Sequence, residues 1–339
     1  MSARDPGREQ TRKGLRVALA AAVLFTISVA SGAIVPFLGP LFATQFLLAS
    51  SQPMSLGKVA GMAVLILVVG AIMMMLTTWL GAHPGPFLLL LGLLYLLCFI
   101  AQTAGIGGPA VSLILVVAVI VPLLGILNRE LAASILTILV GGVLGGAIMM
   151  WLAHALIPEP APEPETSSAQ ERRTPDYPRA LANTAILLAS VVICLTSDNL
   201  TAAAVIPITV ASLLGQIDMA AGSKASVGLM AVNLSGGLLA SVGYAVLSLQ
   251  PSLSTIFVIV LVVGLFLGGR AAALTPDAAM FAGALTIFLI LFGLGVSPLP
   301  GSAAESFSTR IAFVALAIGY TLLATAVLWR RPQPVLPAL

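Results

Sequence analysis

Long apolar runs recur along the whole chain and contain few charged residues. Leu15 to Ile34 and Leu131 to Leu156 are two of them. Each is long enough to cross the hydrocarbon core of a bilayer as one α-helix, which takes about 20 residues. Only 8% of the 339 residues are charged and 59% are hydrophobic, whereas soluble domains carry about 25% charged residues. Most of the protein surface must therefore face lipid.

The runs are uniformly apolar and do not alternate with polar residues as the strands of a membrane barrel do. The sequence therefore predicts an all-α polytopic membrane protein. The basic N-terminus precedes an apolar stretch, a pattern that is also typical of a signal peptide. That stretch is long and has no clear small-residue cleavage site, so we expect it to be retained as the first helix.

One segment differs sharply from the rest. Glu159 to Pro178 reads EPAPEPETSSAQERRTPDYP and is rich in Pro, Glu and Ser. Such a segment cannot bury a core and is expected to form a solvated, semi-extended linker. The predicted organisation is a first transmembrane repeat over residues 1–157, a linker over 158–178 and a second transmembrane repeat over 179–339.

The two halves carry the same landmarks in the same order. Each has an arginine opening an alanine-rich helix, a proline in a short second segment, a lysine opening the third helix and an arginine opening the sixth. The pairs are Arg16 with Arg179, Pro36 with Pro207, Lys58 with Lys224, and Arg129 with Arg310. Each lysine stands twelve residues before a glycine, Gly70 or Gly236. Internal repeats of this kind are common in transporters; chance similarity between two hydrophobic stretches is the alternative.

The pattern predicts six spans in each half, the second of them short and interrupted in both. The predicted spans are 15–34, 36–51, 58–81, 86–104, 108–127, 131–157, 179–197, 200–216, 226–248, 253–270, 277–296 and 308–330. With the N-terminus in the cytoplasm, thirteen of the fifteen Lys and Arg residues fall on the inside, as the positive-inside rule requires. The linker and C-terminus are then also cytoplasmic, and the two pseudo-repeats are parallel.

Lys58 and Lys224 are the first candidates for a transport pathway. As repeated cations at the cytoplasmic side they would attract an anionic substrate, and the alternative is that they snorkel to lipid headgroups. Arg129 and Arg310 are the two exceptions to the charge bias. They are candidates for an anion-release site, and the alternative is a structural ion pair, for which Glu130 stands next to Arg129.

Three further polar residues lie in or beside apolar segments. Asp198 is a candidate proton relay, because desolvation raises the pKa of a carboxyl group, although an N-cap role is the simpler interpretation. Asn233 and Gln45 lie within apolar runs. Hydrogen bonding between helices is the ordinary role of such residues, and lining of a pathway is the alternative.

Glycines at four-residue spacing predict close helix packing, either within the chain or between subunits of a homo-oligomer. The pairs are Gly57 with Gly61, Gly141 with Gly145, and Gly142 with Gly146.

The chain lacks a phosphate-binding glycine loop, a nucleophile elbow and a zinc-protease motif. Its two cysteines and two histidines have no metal-ligand spacing. No cofactor, nucleic-acid partner or enzymatic activity is therefore predicted.

These features together resemble the fusaric acid resistance and aromatic acid exporter family of bacterial inner-membrane proteins. The resemblance covers nearly the whole chain and rests on the arginine-led first helices, the proline-containing second segments, Lys58 and Lys224, and the arginine-led sixth helices. The chain departs from the family in its short linker, where many members have a large soluble domain. It also lacks an aromatic start to the second helix, and Pro36-Phe37 and Ile206-Pro207 stand there instead.

The resemblance implies proton-driven efflux of small, often aromatic, organic acids or related toxic compounds from the inner membrane. It also implies a periplasmic membrane-fusion adaptor and an outer-membrane channel as partners. An anion channel of similar architecture, a non-transporting scaffold subunit and a membrane-embedded lipid enzyme are the alternatives, the last with little support from two scattered histidines.

Overall fold

A computed structural model shows the protein as a bundle of helices. It describes residues 6–50, 52–106, 108–127, 129–158, 174–196, 205–219, 223–273, 275, 277–297 and, further on, 312, 316–317, 319–321, 323–325 and 327–328. Within these residues the chain is helical apart from short connecting loops.

Six helices precede the linker. They are α1 (Pro6–Ala30), α2 (Leu38–Ala49), α3 (Leu56–Leu80), α4 (Pro84–Thr103), α5 (Gly108–Leu127) and α6 (Arg129–Leu156).

Five helices with described bounds follow it: α7 (Tyr177–Leu195), α8 (Val205–Met219), α9 (Ser223–Leu249), α10 (Leu253–Ala271) and α11 (Ala278–Val296). The middle of α10, Gly264–Gly268, is a π-helical turn. The described residues between 312 and 328 are also helical.

Seven of the helices among the described residues are long and apolar enough to cross a membrane, judged by length and composition. Large apolar side chains are exposed along them; on α3, for example, Val64, Val68, Ile72 and Trp79 are each more than half exposed. Such a surface is suited to lipid and not to water. The protein is therefore a multi-pass, all-helical membrane protein, as the sequence predicts.

The first helix differs from its prediction. It begins at Pro6, not at residue 15. The added residues include Glu9, Gln10, Arg12 and Lys13, which are all good helix formers. The apolar helix therefore continues without a break into the polar N-terminal segment.

The second segment of each half is short. α2 has 12 residues and α8 has 15, so they measure ~18 and ~22 Å, against a hydrocarbon core of about 30 Å. Most of α2 is buried, and Gln45 and Ala49 are its exposed residues. This short helix is enclosed by protein, as backbone that does not cross the membrane must be.

Glycines let α6 lie directly against α2. A Cβ atom built on Gly146 would stand 2.9 Å from the backbone nitrogen of Ala43, and one on Gly142 would stand 3.3 Å from Phe42. The predicted close packing at Gly142 and Gly146 is therefore confirmed, and it lies within the chain. Gly57 and Gly61 have open space around them instead.

A second close contact joins α1 to α10 across the π-helical turn. A Cβ atom on Gly14 would stand 2.7 Å from the Cα of Gly269, and one on Gly264 would stand 3.0 Å from the Cα of Ala18. The backbones of these two helices therefore approach as closely as glycine allows.

Helix packing follows a similar order in the two halves. Within the halves, α1 packs on α2 and α7 on α8, while α3 packs on α5 and α9 on α11. Between the halves, α1 packs on α10 and α7 on α4, while α2 packs on α11 and α8 on α5.

Side-chain hydrogen bonds identify which helix ends lie together. Lys13 Nζ donates to Leu48 O at 3.0 Å, and Trp151 Nε1 donates to Met54 O at 2.9 Å. The start of α1, the end of α2, the loop before α3 and the end of α6 therefore share one end of the bundle, called here the Lys13 end. At the opposite end, Ser297 Oγ donates to Ile34 O at 2.6 Å.

Candidate functional site

The buried polar side chains of the described residues are confined to a few segments. They lie on α1, α2, α7, α8 and the helical residues between 312 and 328, and they are Arg16, Thr44, Asn183, Thr184, Ser190, Thr209, Thr321 and Thr325. The buried residues of α3, α4, α10 and α11 are apolar, apart from the single phenol of Tyr95 on α4, which donates to Ala118 O. The polar interior is thus built by the first and second segments of each half and by the C-terminal helical residues.

Most of the buried hydroxyls are satisfied within their own helices. Thr44 Oγ1 donates to Leu41 O at 2.9 Å, and Ser190 Oγ donates to Leu187 O at 2.6 Å. Thr184, Thr321 and Thr325 make the same kind of bond to carbonyls of the preceding turn. Such self-satisfied groups are compatible with a purely structural role, so they do not mark a site on their own.

Arg16 is different, because its guanidinium group is charged and enclosed. The residue is 1% exposed, and its Nε and Nη2 atoms have less than 1 Å² of accessible surface each. Its position is fixed by α1, whose neighbouring residues Gly14 and Val17 lie against α10. Because desolvating a charge costs several kcal/mol, an arginine at this position must be stabilised by polar or charged neighbours.

Arg16 lies inside the span rather than at its tip. It stands fourteen residues before Ala30, the last residue of α1, which is ~21 Å along a helix. Lys13, three residues earlier, donates to the end of α2 and closes the Lys13 end above Arg16. Arg16 therefore stands about one turn deeper along α1 than Lys13.

α2 runs antiparallel to α1 beside Arg16. Two contacts set the register, Lys13 with Leu48 and Leu24 with Gly39. Within about one helical turn, this register puts Arg16 level with Gln45, the exposed polar residue of α2. Arg16 and Gln45 therefore lie at similar depth on two adjacent helices, Arg16 on a buried face and Gln45 on an exposed one.

The second half has an arginine in the corresponding helix. Arg179 lies in the first turn of α7, is partly buried and has an enclosed Nε atom. The carboxylate of Asp176 caps this helix by accepting a hydrogen bond from the backbone N–H of Arg179 at 3.1 Å. One turn further, Asn183 is fully buried, and Tyr320 Oη donates to Ile186 O at 2.9 Å. The start of α7 is thus a second polar region, exposed at Asp176 and buried one turn later at Asn183.

The sequence-predicted pathway residues are not brought together by the described part of the structure. Lys58 is exposed in the first turn of α3, near the Lys13 end, and its backbone N–H donates to Ser55 O. Gln45 is exposed on α2. Four further candidates have a described backbone within α6 or α9 but no described side chain: Arg129, Glu130, Lys224 and Asn233. Asp198 and Arg310 lie wholly outside the described residues.

Sequence reasoning used Arg16 and Arg179 only as landmarks of the repeat and missed them as site residues. The signal that identifies them is an arginine in the first turns of an apolar span, where an ionisable residue is costly and usually functional. Asn183 was also missed. Its signal is a polar residue one turn after Arg179 within an apolar helix.

The described residues contain no group of three or more His, Cys, Asp or Glu side chains that are placed to hold a metal ion. Cys98 and Cys194 are buried and do not form a disulfide. His154 Nδ1 lies 2.9 Å from Met150 O within α6, and His83 precedes α4 as an exposed N-cap residue.

Arg270, at the end of α10, packs against two aromatic rings. Its guanidinium carbon lies 5.2 Å from the ring centroids of both Phe266 and Phe281. The contact with Phe281 ties α10 to α11, whereas Phe266 lies one turn earlier on α10 itself.

No protein-family model, curated protein or solved structure matches this chain.

Proposed function

We propose that this protein is an inner-membrane transporter that exports small organic anions. The observation that carries the proposal is the enclosed guanidinium group of Arg16 inside the helix bundle. An anion that leaves water for the membrane interior loses its hydration, and a fixed cation at depth offsets that loss. Arginine is suited to this role because its planar fork binds a carboxylate through two parallel hydrogen bonds.

The resemblance to the aromatic acid exporters supplies the rest of the proposal. It suggests aromatic acids as substrates, the proton gradient as the driving force, and a periplasmic adaptor with an outer-membrane channel as partners. A homo-oligomer is a further proposal. Lys58 and Lys224 would attract the anion on the cytoplasmic side, and Arg129 and Arg310 would receive it on the other. In this proposal the chain has no enzymatic activity.

We also propose that the two halves are parallel repeats with the Lys13 end in the cytoplasm. Two pairs of equivalent contacts between the halves support this. The packing of α1 on α10 matches that of α7 on α4, and the packing of α2 on α11 matches that of α8 on α5. A two-fold axis along the membrane normal produces such pairs of contacts. The charge bias supports the orientation.

Contacts of single residues also bear on the repeat. Thr77 and Gly243 both stand nineteen residues after their lysines, Lys58 and Lys224. Thr77 lies against Gly125 of α5. Gly243 lies nearest to Ile259 of α10 and also faces Phe292 of α11, which is the helix equivalent to α5. The glycine landmarks make different contacts, because Gly70 lies against Leu136 of α6 whereas Gly236 lies against Ala284 of α11. The support for a parallel repeat therefore comes from the order in which the helices pack and from positions counted from Lys58 and Lys224.

The proposed function is tested in proteoliposomes that contain the full-length protein. Benzoate movement would be followed after a pH gradient is imposed, with Arg16→Gln compared with Arg12→Gln. Arg12 is exposed on the same helix and carries the same charge. Losing a hydrogen-bonded charge costs about 1.5–3 kcal/mol, so we expect transport by Arg16→Gln to slow by roughly tenfold to a hundredfold. Unchanged transport in Arg16→Gln at equal protein level would refute the proposal.

The same preparation separates a carrier from a channel. Relative to protein-free liposomes, which correct for passive permeation of neutral benzoic acid, a carrier concentrates benzoate against its gradient and stops when a protonophore is added. Passive flux that ignores the protonophore would replace the exporter with an anion channel.

A further inference from the structure

The outer face of α10 carries an apolar strip that ends at an arginine. Val258, Val262 and Phe266 follow one another at four-residue spacing, and each is more than half exposed. Residues at this spacing share one face of a helix. Arg270 is the next residue in the series and is also exposed. Its guanidinium carbon lies 5.2 Å from the ring centroid of Phe266, so the cation and the strip share this face.

The depth of Arg270 in the membrane follows from the packing of α10 on α1. The glycine contacts described above make the two helices antiparallel and put Gly269 against Gly14. Arg270 is therefore level with Lys13, at the Lys13 end of the bundle. At this level α1 changes from polar to apolar residues, as a helix does where it passes from the headgroup region into the hydrocarbon core.

The length of the strip matches one leaflet of a bilayer. Val258 and Arg270 are twelve residues apart, which is ~18 Å along a helix. The hydrocarbon core is about 30 Å thick, so half of it has nearly the length of the strip. An acyl chain that begins below Arg270 can therefore lie on apolar side chains as far as the middle of the membrane.

The guanidinium group of Arg270 is positioned by aromatic rings and not by carboxylates. It lies at the same distance, 5.2 Å, from the rings of Phe266 and Phe281. Within the part of the chain that the structure describes, no oxygen atom accepts a hydrogen bond from this group, and Asp277 does not form an ion pair with it. Phenyl rings hold the cation in place, but they are not oxygen acceptors for its five N–H donors.

From these placements we propose that the outer face of α10 binds one anionic phospholipid at the Lys13 end. The phosphate accepts two hydrogen bonds from the guanidinium fork of Arg270, and an acyl chain lies along Phe266, Val262 and Val258. The charge of the arginine favours a headgroup with a net negative charge over a zwitterionic one, whose phosphate is already balanced by its own cation. This inference does not depend on the proposed transport function.

Binding is measured on the full-length protein in a neutral detergent, by titration with fluorescently labelled phosphatidylglycerol. Phosphatidylcholine with the same label and acyl chains is the reference. We expect the wild-type chain to prefer phosphatidylglycerol by roughly five- to tenfold, and Arg270→Gln to lose most of this preference, because a cation beside an anionic headgroup contributes a factor of that size.

Arg12 provides a matched control. It is an exposed arginine next to Lys13 on α1, and it therefore stands at the same end of the bundle. We expect Arg12→Gln to keep the preference for phosphatidylglycerol. An equal loss in Arg12→Gln and Arg270→Gln would overturn the site, because general attraction between a cationic end and an anionic lipid would then account for the binding.

Arg270→Lys tests the site with less risk to folding. The lysine keeps the charge and can keep a cation–π contact, but it lacks the planar fork, so we expect the preference to fall by roughly threefold. A preference equal to that of the wild-type chain would refute the bonding of the phosphate by the fork.

Two further outcomes would overturn the lipid assignment. One is equal affinity of the wild-type chain for the two lipids. The other is displacement of phosphatidylglycerol by inorganic phosphate at constant ionic strength, which would make a soluble phosphate the occupant of Arg270. A preference that responds to the Arg270 variants, in a protein that moves no benzoate in proteoliposomes, would support the lipid site and refute the transport function.

Discussion

A single methyl group added at Gly146 should separate α2 from α6. A Cβ atom at this position would stand 2.9 Å from Ala43 N, 3.0 Å from Phe42 Cβ and 3.2 Å from Gly39 O. Two of these neighbours are backbone atoms of α2, which cannot rotate away. Gly146→Ala therefore requires the two helices to shift.

The same helix offers a matched control. Gly141, five residues earlier on α6, has no atom within 4 Å of the position of its Cβ. Replacing a helical glycine by alanine gains about 0.5–1 kcal/mol where space is free. Overpacking a filled interior costs about 1–3 kcal/mol. Because the helical gain applies to both positions, we expect Gly141→Ala to be neutral or stabilising and Gly146→Ala to be less stable than Gly141→Ala by about 1–3 kcal/mol.

Both variants would be purified in the same detergent, and thermal unfolding would be followed by size-exclusion chromatography of heated samples. The wild-type chain provides the reference in each run. Equal melting temperatures for Gly146→Ala and Gly141→Ala would refute the close approach of α2 and α6 and the packing role of the Gly142 and Gly146 pair.

Three further expectations concern the surface and the ends of the helices. Arg270→Gln should destabilise the protein by about 1 kcal/mol through loss of two cation–π contacts, as measured by thermal unfolding; a stability equal to wild type would contradict it. Reporter tags at the N-terminus, at residue 168 and at the C-terminus should all report cytoplasm, and a periplasmic signal from the linker would overturn the arrangement of six plus six spans. The double variant Lys58→Gln, Lys224→Gln should export less benzoate from cells at equal membrane level, and wild-type export would return both lysines to simple anchoring at the lipid headgroups.

The helices themselves were largely predictable from the sequence. Apolar length and the scarcity of charge define a membrane helix because the bilayer has a fixed thickness. The predicted span 277–296 and the observed helix Ala278–Val296 differ by one residue at one end. The start of α1 was not predictable by the same rule, since residues 6–14 are helical for their propensity and not for their hydrophobicity.

The candidate site was less predictable, because a one-dimensional pattern does not show depth. Lys58 and Arg16 both stand near the start of an apolar helix, yet Lys58 is exposed and Arg16 is enclosed. The difference arises from the neighbours of each helix. α10 and α2 cover this part of α1, whereas the first turns of α3 have open space around Gly57 and Gly61. Only the packing of distant segments separates the two cations.

The half-length helix α2 also imposes an order on biogenesis. Its partner on α6, Gly142, is synthesised one hundred residues after Phe42, which is about 5–20 s at the usual rates of translation. Until then α2 is an apolar segment of 12 residues, too short to cross the bilayer alone and lacking the surface that will enclose it. A nascent chain that ends before α6 must therefore hold this segment beside α1 or at the translocon. Final placement of α2 becomes one of the last events in the assembly of the first half.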